Sequence, residues 1–110
     1  MTGAASRGER EVMDFEFEGE LWYWRGPSPF HFVTLPDDES EAIHSLANEV
    51  TYGWGMIPVQ AQIGKTNWRT AMFAKDGGYV LPIKNSTRKP EALLLGDRVK
   101  VQLTVLAATN

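Results

Sequence analysis

The chain contains no cysteine. That excludes a disulfide scaffold, a thiolate-ligated metal site and a cysteine nucleophile. Histidine is scarce as well: His31 and His44 are the only two, and no ligand spacing joins them, so a metal role is not expected. Long hydrophobic runs are missing. The densest patch, Ala92-Leu93-Leu94-Leu95, falls far short of the ~18 apolar residues of a membrane span. Residues 1–13 are small, polar and charged, with no apolar stretch able to act as a secretion signal. These absences together point to a cytoplasmic protein without a membrane partner.

Catalytic signatures are also missing. No serine sits in a Gly-x-Ser-x-Gly elbow, and Asp76-Gly77-Gly78 lacks the following helix and the Lys-Ser/Thr of a phosphate loop. Glu16, Glu18 and Glu20 share one outward row, which does not suit a buried acid pair. The sequence therefore predicts neither an enzyme nor a cofactor.

What remains is an ordinary globular composition: 110 residues, 43% hydrophobic and 23% charged, enough for one domain with its own core. The formal charge of −3 hides an asymmetry. Residues 64–90 carry Lys65, Arg69, Lys75, Lys84, Arg88 and Lys89 against Asp76 alone, while the rest is acidic, with Asp37, Asp38, Glu39 and Glu41 clustered. Such a split marks an anionic partner or lets the two parts attract each other.

Residues 14–24 alternate strictly. Phe15, Phe17, Leu21 and Tyr23 share one face, and Glu16, Glu18, Glu20, Trp22 and Trp24 the other. Period two predicts a strand with one buried face, with Gly19 in the inward row marking a bend or bulge. Arg25-Gly26-Pro27-Ser28-Pro29 predicts a turn into a second strand, Phe30 to Leu35. After Pro36, Asp38 and Glu41 have the form of a capping box. Ile43, Leu46, Ala47 and Val50 then make one apolar stripe, so a helix is expected over 38–50. Gly53 and Gly55 stop it, and Met56 to Ile63 returns to strand.

The pattern then runs again. Thr66 to Ala74, the Asp76-Gly77-Gly78 turn and Tyr79 to Ile83 predict a hairpin. Asn85 to Glu91 reads as a short helical turn interrupted by Pro90, and Arg98 to Leu106 alternates as a last strand. Leu35-Pro36 and Leu81-Pro82 fall at like places, and Trp22 precedes Pro36 by the spacing at which Trp68 precedes Pro82. The expected fold is mainly β: a small barrel of about six strands with one clear helix, a second short helical turn and a pseudo-two-fold β-β-α-β repeat. Residues 1–12 are read as a flexible arm, 13–107 as the barrel domain and 108–110 as a tail. Because the two units can close the ring within one chain, a monomer is expected, with a dimer as the alternative.

Several runs carry a family resemblance: Trp68-Arg69-Thr70-Ala71-Met72-Phe73, Tyr79-Val80-Leu81-Pro82-Ile83-Lys84, Arg88-Lys89 and Gly96-Asp97-Arg98-Val99-Lys100-Val101, with Phe15-Glu16-Phe17-Glu18-Gly19 and Val33-Thr34-Leu35-Pro36. Over residues 14–106 the chain resembles the bacterial domain-of-unknown-function family 1905. That resemblance implies a double-split β-barrel and no established biochemical role. A more distant likeness is to the swapped-hairpin DNA-binding domains of AbrB- and MazE-like regulators, carried by Leu81-Pro82, Arg88 and the Gly96 to Val101 run. The first half lacks their Gly-Asp, and its helix is acidic where a DNA-facing surface is basic.

Two groups stand out as candidate ligand-binding residues. One is Trp68 and Arg69 with Lys84 and Arg88. There Trp68 offers a stacking face or a core side chain, and the arginines meet an anion or pair with the acidic half. The other is Tyr52 and Trp54, a lid over a ligand or a plug for the barrel end. Trp22 and Trp24 line a groove or lie beneath the helix, and the helix's need for an apolar surface favours cover. The functional expectation is a binding or interaction module for a protein or a small anionic ligand. The alternative is a nucleic-acid-binding regulator, against which the acidic balance argues.

Overall fold

The computed structural model describes residues 9–27, 29–46 and 56–108. Six strands, β1 (Glu9–Trp24), β2 (Phe30–Thr34), β3 (Ile57–Ile63), β4 (Thr66–Lys75), β5 (Gly78–Ile83) and β6 (Arg98–Ala108), close into an antiparallel barrel. Among the described residues two helices, α1 (Asp37–Ser45) and α2 (Asn85–Arg88), follow the two hairpins. The order around the ring is β1-β2-β5-β4-β3-β6. Each hairpin stays with its own half, but the third strand of each half pairs with the first strand of the other: β6 with β1, and β3 with β4.

The pairing register obeys a local two-fold. At one crossing Thr34 faces Val80; at the other Ala61 faces Leu103. Phe15 lies opposite Leu103 as Trp68 lies opposite Ala61. The Leu-Pro steps are not equivalent: Leu35-Pro36 follows β2, with Pro36 capping α1, whereas Leu81-Pro82 lies within β5, opposite Val33 and Phe32, and Lys84 caps α2. Nor are the tryptophans: Trp22 pairs with Phe32 inside the first hairpin, whereas Trp68 pairs with Ala61 in the β3–β4 ladder, outside the second hairpin's pairs. The shared Trp-to-Pro spacing is therefore a coincidence.

The inward rows are those the alternation indicates. Phe17, Leu21, Val33, Leu35, Ile57, Val59, Leu81, Val99, Val101 and Val105 are all buried in one cluster. On the outside, the acidic row of β1 meets the basic row of β6 diagonally: Arg98 Nε lies 3.7 Å from Glu18 and Lys100 Nζ 3.9 Å from Glu16. Exposed pairs of this kind each stabilise by only ~0.2–1 kcal/mol.

Four local expectations are corrected. β1 starts at Glu9 rather than beyond a loose arm of twelve residues, because residues 9–11 find a partner in the end of β6, Glu9 facing Ala108. The register irregularity of β1 lies between Glu11 and Met13, not at Gly19. Gly19 serves a close approach instead: a Cβ there would stand 2.6 Å from Val33 Cγ1 and 2.8 Å from the Thr34 carbonyl oxygen. No capping box forms. The helix begins one residue earlier, after the extended Pro36, so Asp38 lies inside the first turn, where its charge suits the helix dipole. The helix reaches Ser45 rather than Val50; Ala47 and Val50 lie outside the described residues. It turns Ile43 into the core, and buried Ser40 accepts the Tyr79 backbone N–H at 3.3 Å, which ties α1 to β5.

Candidate functional site

The two hairpins end differently, and the difference builds the site. The second closes at once after Lys75, on Asp76 (φ 53) and Gly77 (φ 83), a positive-φ pair suited to a tight turn. The first ends on the Trp24–Phe30 pair and passes into the longer, proline-rich connection instead. Tyr23, Trp24, Phe30 and His31 form the end of this hairpin, an aromatic arm. Tyr23, expected to be buried with Leu21, is 37% exposed at the end of the hairpin.

The arm's outer face is aromatic. Trp22 and Trp24 stack at 5.3 and 6.3 Å from Phe32, Phe30 at 5.8 Å, and Phe73 meets Phe32 edge-on at 5.5 Å. Lys75 Nζ sits 5.3 Å from the Trp24 ring centre, and the Trp22 indole N–H donates to Thr34 Oγ1 at 2.9 Å. Gly26 lets the turn lie against Trp24, since a Cβ there would come within 2.6 Å of the indole. Trp24, Phe30, Phe32, Met56, Phe73 and Pro82 line an apolar groove of about 320 Å³, with Lys84 at its wall. The expectation that α1 covers Trp22 and Trp24 is overturned: Ile43 finds its apolar surface in the core, and Trp24 remains 37% exposed.

The inner face of the arm is polar. Tyr23 and His31 rings lie 4.8 Å apart, and the Arg25 guanidinium is 6.0 Å from the Tyr23 ring centre. Against them stands α2. Arg88 donates through Nη2 to Asn85 Oδ1 at 3.0 Å, while its buried Nε–H has no partner among the described residues. Tyr23, Pro29, Phe30, His31, Asn85 and Arg88 enclose about 330 Å³. Burial, and secondarily the Arg88 charge, hold the His31 imidazole below its ordinary pKa.

The candidate residues are thereby sorted rather than gathered. Trp68 points inward and is 8% exposed, so it belongs to the core and offers no stacking face to solvent. Arg69 is exposed on β4, paired in register with Gln60 and two residues from the groove residue Ala71. Lys84 lines the aromatic groove and Arg88 the polar cavity. Tyr52 and Trp54 lie outside the described residues. The sequence pattern places Trp24 in a groove or beneath the helix, and does not by itself bring Phe30, Phe32, Phe73, Pro82 and His31 to the site. A signal existed: Trp22 and Trp24, then Phe30 and Phe32, repeat at period two and mark an aromatic face on adjoining strands.

A larger hollow of about 550 Å³ lies across β1, β6 and β3, lined by Asp14, Glu16, Gln60, Gln62, Gln102 and Thr104 among others. Its wall mixes amides and acids with Phe15, Ala61 and Leu103, and it has neither the cluster of aromatic rings nor the cationic side chains found at the arm. Among the described residues no group of three or more His, Cys, Asp or Glu side chains could hold a metal, and no helix is long and apolar enough to cross a membrane.

Comparison with curated proteins finds no match. The profile of the domain of unknown function DUF1905 matches residues 17–103, which span all six strands in whole or part, and the chain belongs to that family.

Proposed function

We propose that this domain is a non-catalytic binding module for a small amphipathic anion. Its apolar body sits in the groove between the arm and β4, and its acidic group meets Lys84. The observation that carries this reading is the groove itself: aromatic rings and Pro82 on a rigid sheet, one ammonium at the wall, and a volume at the lower end of small-molecule sites. A cytosolic location is supported by the lack of cysteine. Closure of the ring by strands of one chain supports a monomer.

The test uses 2-naphthoate and its neutral alcohol as probes, read by the Trp24 indole N–H resonance. Both should shift it, the acid binding more tightly. Lys84→Met should remove only the acid's advantage, and Ala71→Leu, which fills the groove, should remove both. No shift at up to ~1 mM of either probe, a concentration matching a very weak site, would reject the reading.

The nucleic-acid reading has one specific support, the exchange of third strands between the halves, which is also the topology implied by the likeness to swapped-hairpin regulators. Against it, Arg98 and Lys100 on β6 already face Glu18 and Glu16. Fluorescence anisotropy with duplex DNA at low salt decides: binding that weakens steeply with added salt would favour this reading over the first.

A further inference from the structure

The polar cavity on the inner side of the arm is separate from the groove, Phe30 being the wall between them. Its chemistry is one-sided. β1 contributes Tyr23, with Arg25 over its ring; β2 contributes His31; α2 contributes Arg88 and Asn85. Ile83 of β5, paired in register with His31, is apolar and buried. Among the described residues no carboxylate lines the cavity. Arg88 Nη2 donates to Asn85 Oδ1 at 3.0 Å, which holds the guanidinium against α2, and its Nε–H is buried without a partner among the described residues.

We infer that this cavity is a binding site for a small oxyanion, taken by Arg88 through its guanidinium and by His31 through its ring, with affinity that rises as the solution becomes acidic. Arginine supplies a permanent charge and a planar donor fork. The imidazole adds a second positive charge only when protonated. In the empty pocket that proton is disfavoured by burial and by the neighbouring guanidinium. An anion between the two cations reverses the second effect, so anion and proton bind together. Reciprocity then requires each to tighten the other by the same factor. The site does not depend on the groove or its ligand.

The experiment titrates the whole chain with sulfate and, separately, with formate. Both keep their charge between pH 5.5 and 8, and ionic strength is held with chloride. The readouts are the His31 ring resonances and their titration curve. The expected result is saturable movement of those resonances, roughly tenfold tighter binding at pH 5.5 than at pH 8, and a His31 pKa raised by about one unit when saturated. Sulfate binding alone identifies a tetrahedral ligand, and formate binding alone a planar carboxylate. Arg88→Met should abolish the response and Lys84→Met should leave it intact. If Arg88→Met does not fold, His31→Gln should bind the same anion with no pH dependence between 5.5 and 8. Absence of saturation by both anions at ~50 mM, or a response that survives in folded Arg88→Met, overturns the assignment.

Discussion

Trp68 faces Ala61 across the β3–β4 ladder as Phe15 faces Leu103 across β1–β6. Each of these aromatic residues faces one member of the Ala61–Leu103 pair at the β3–β6 crossing. The indole of Trp68 buries an Nε1–H that has no partner among the described residues. Its value to the fold is therefore volume rather than hydrogen bonding. Trp68→Ala should cost ~3–5 kcal/mol, as for other large core truncations, and Trp68→Phe, which keeps an aromatic ring in the core, less than half as much. Urea denaturation of the two variants checks this.

Gly19→Ala should destabilise by ~1–3 kcal/mol, the usual cost of overpacking. The obstacle is partly backbone, the Thr34 carbonyl at 2.8 Å, and backbone in a six-strand ring cannot step aside as a side chain can. Gly77→Ala provides the contrast: a Cβ there meets nothing within 4 Å, so its cost comes only from the positive φ. Thermal melts should rank Gly19→Ala as the worse of the two.

Glu91 pins the turn between β3 and β4. Its Oε2 accepts the Thr66 hydroxyl at 2.7 Å and the Lys65 N–H at 3.2 Å, beside Gly64 in a positive-φ conformation. Glu91→Ala should cost about 1–2 kcal/mol, two modest hydrogen bonds, whereas Glu91→Gln keeps an acceptor and should cost less. Amide hydrogen exchange at Lys65 and Thr66 should quicken in Glu91→Ala before that of the β3–β6 ladder.

Stability should fall with acid in a way that depends on His31. Its pKa in the folded chain is depressed, chiefly by burial and next by Arg88, below the ~6.5 of an unfolded chain. As pH drops, the unfolded chain takes the proton first, so the contribution of neutral His31 is whole above ~6.5 and is lost as pH descends through the folded value. The urea midpoint should decrease between pH 7.5 and pH 5, and the part of that decrease owed to His31 should vanish in His31→Gln. A wild-type and variant difference that stays constant with pH would count against it.

Most of the barrel was legible because its strands bury one face and leave the other wet. Ile57, Val59, Ala61 and Ile63, or Val99, Val101, Leu103 and Val105, show period two without help from neighbours. The Leu-Pro steps did not mark equivalent points, since Pro36 caps α1 while Pro82 sits inside β5. What local pattern could not reveal was register. That Trp22 pairs within the first hairpin while Trp68 pairs with Ala61 of the other half is set by contacts between separate strands of the barrel. The same holds for the start of β1, which needs Ala108 as its partner. The basic cluster misled for a related reason. Trp68 and Arg69 are neighbours in sequence but project to opposite sides of β4, while the aromatic groove draws its walls from four strands' worth of separate rows.

The meeting of Glu9 and Ala108 has an engineering corollary. A short linker across that gap, with the backbone opened between Gly64 and Lys65, would renumber the molecule so that it starts with the second hairpin and finishes with the first half's third strand. Strand neighbours would be the same as before, and the aromatic arm would move from the front of the gene to its back.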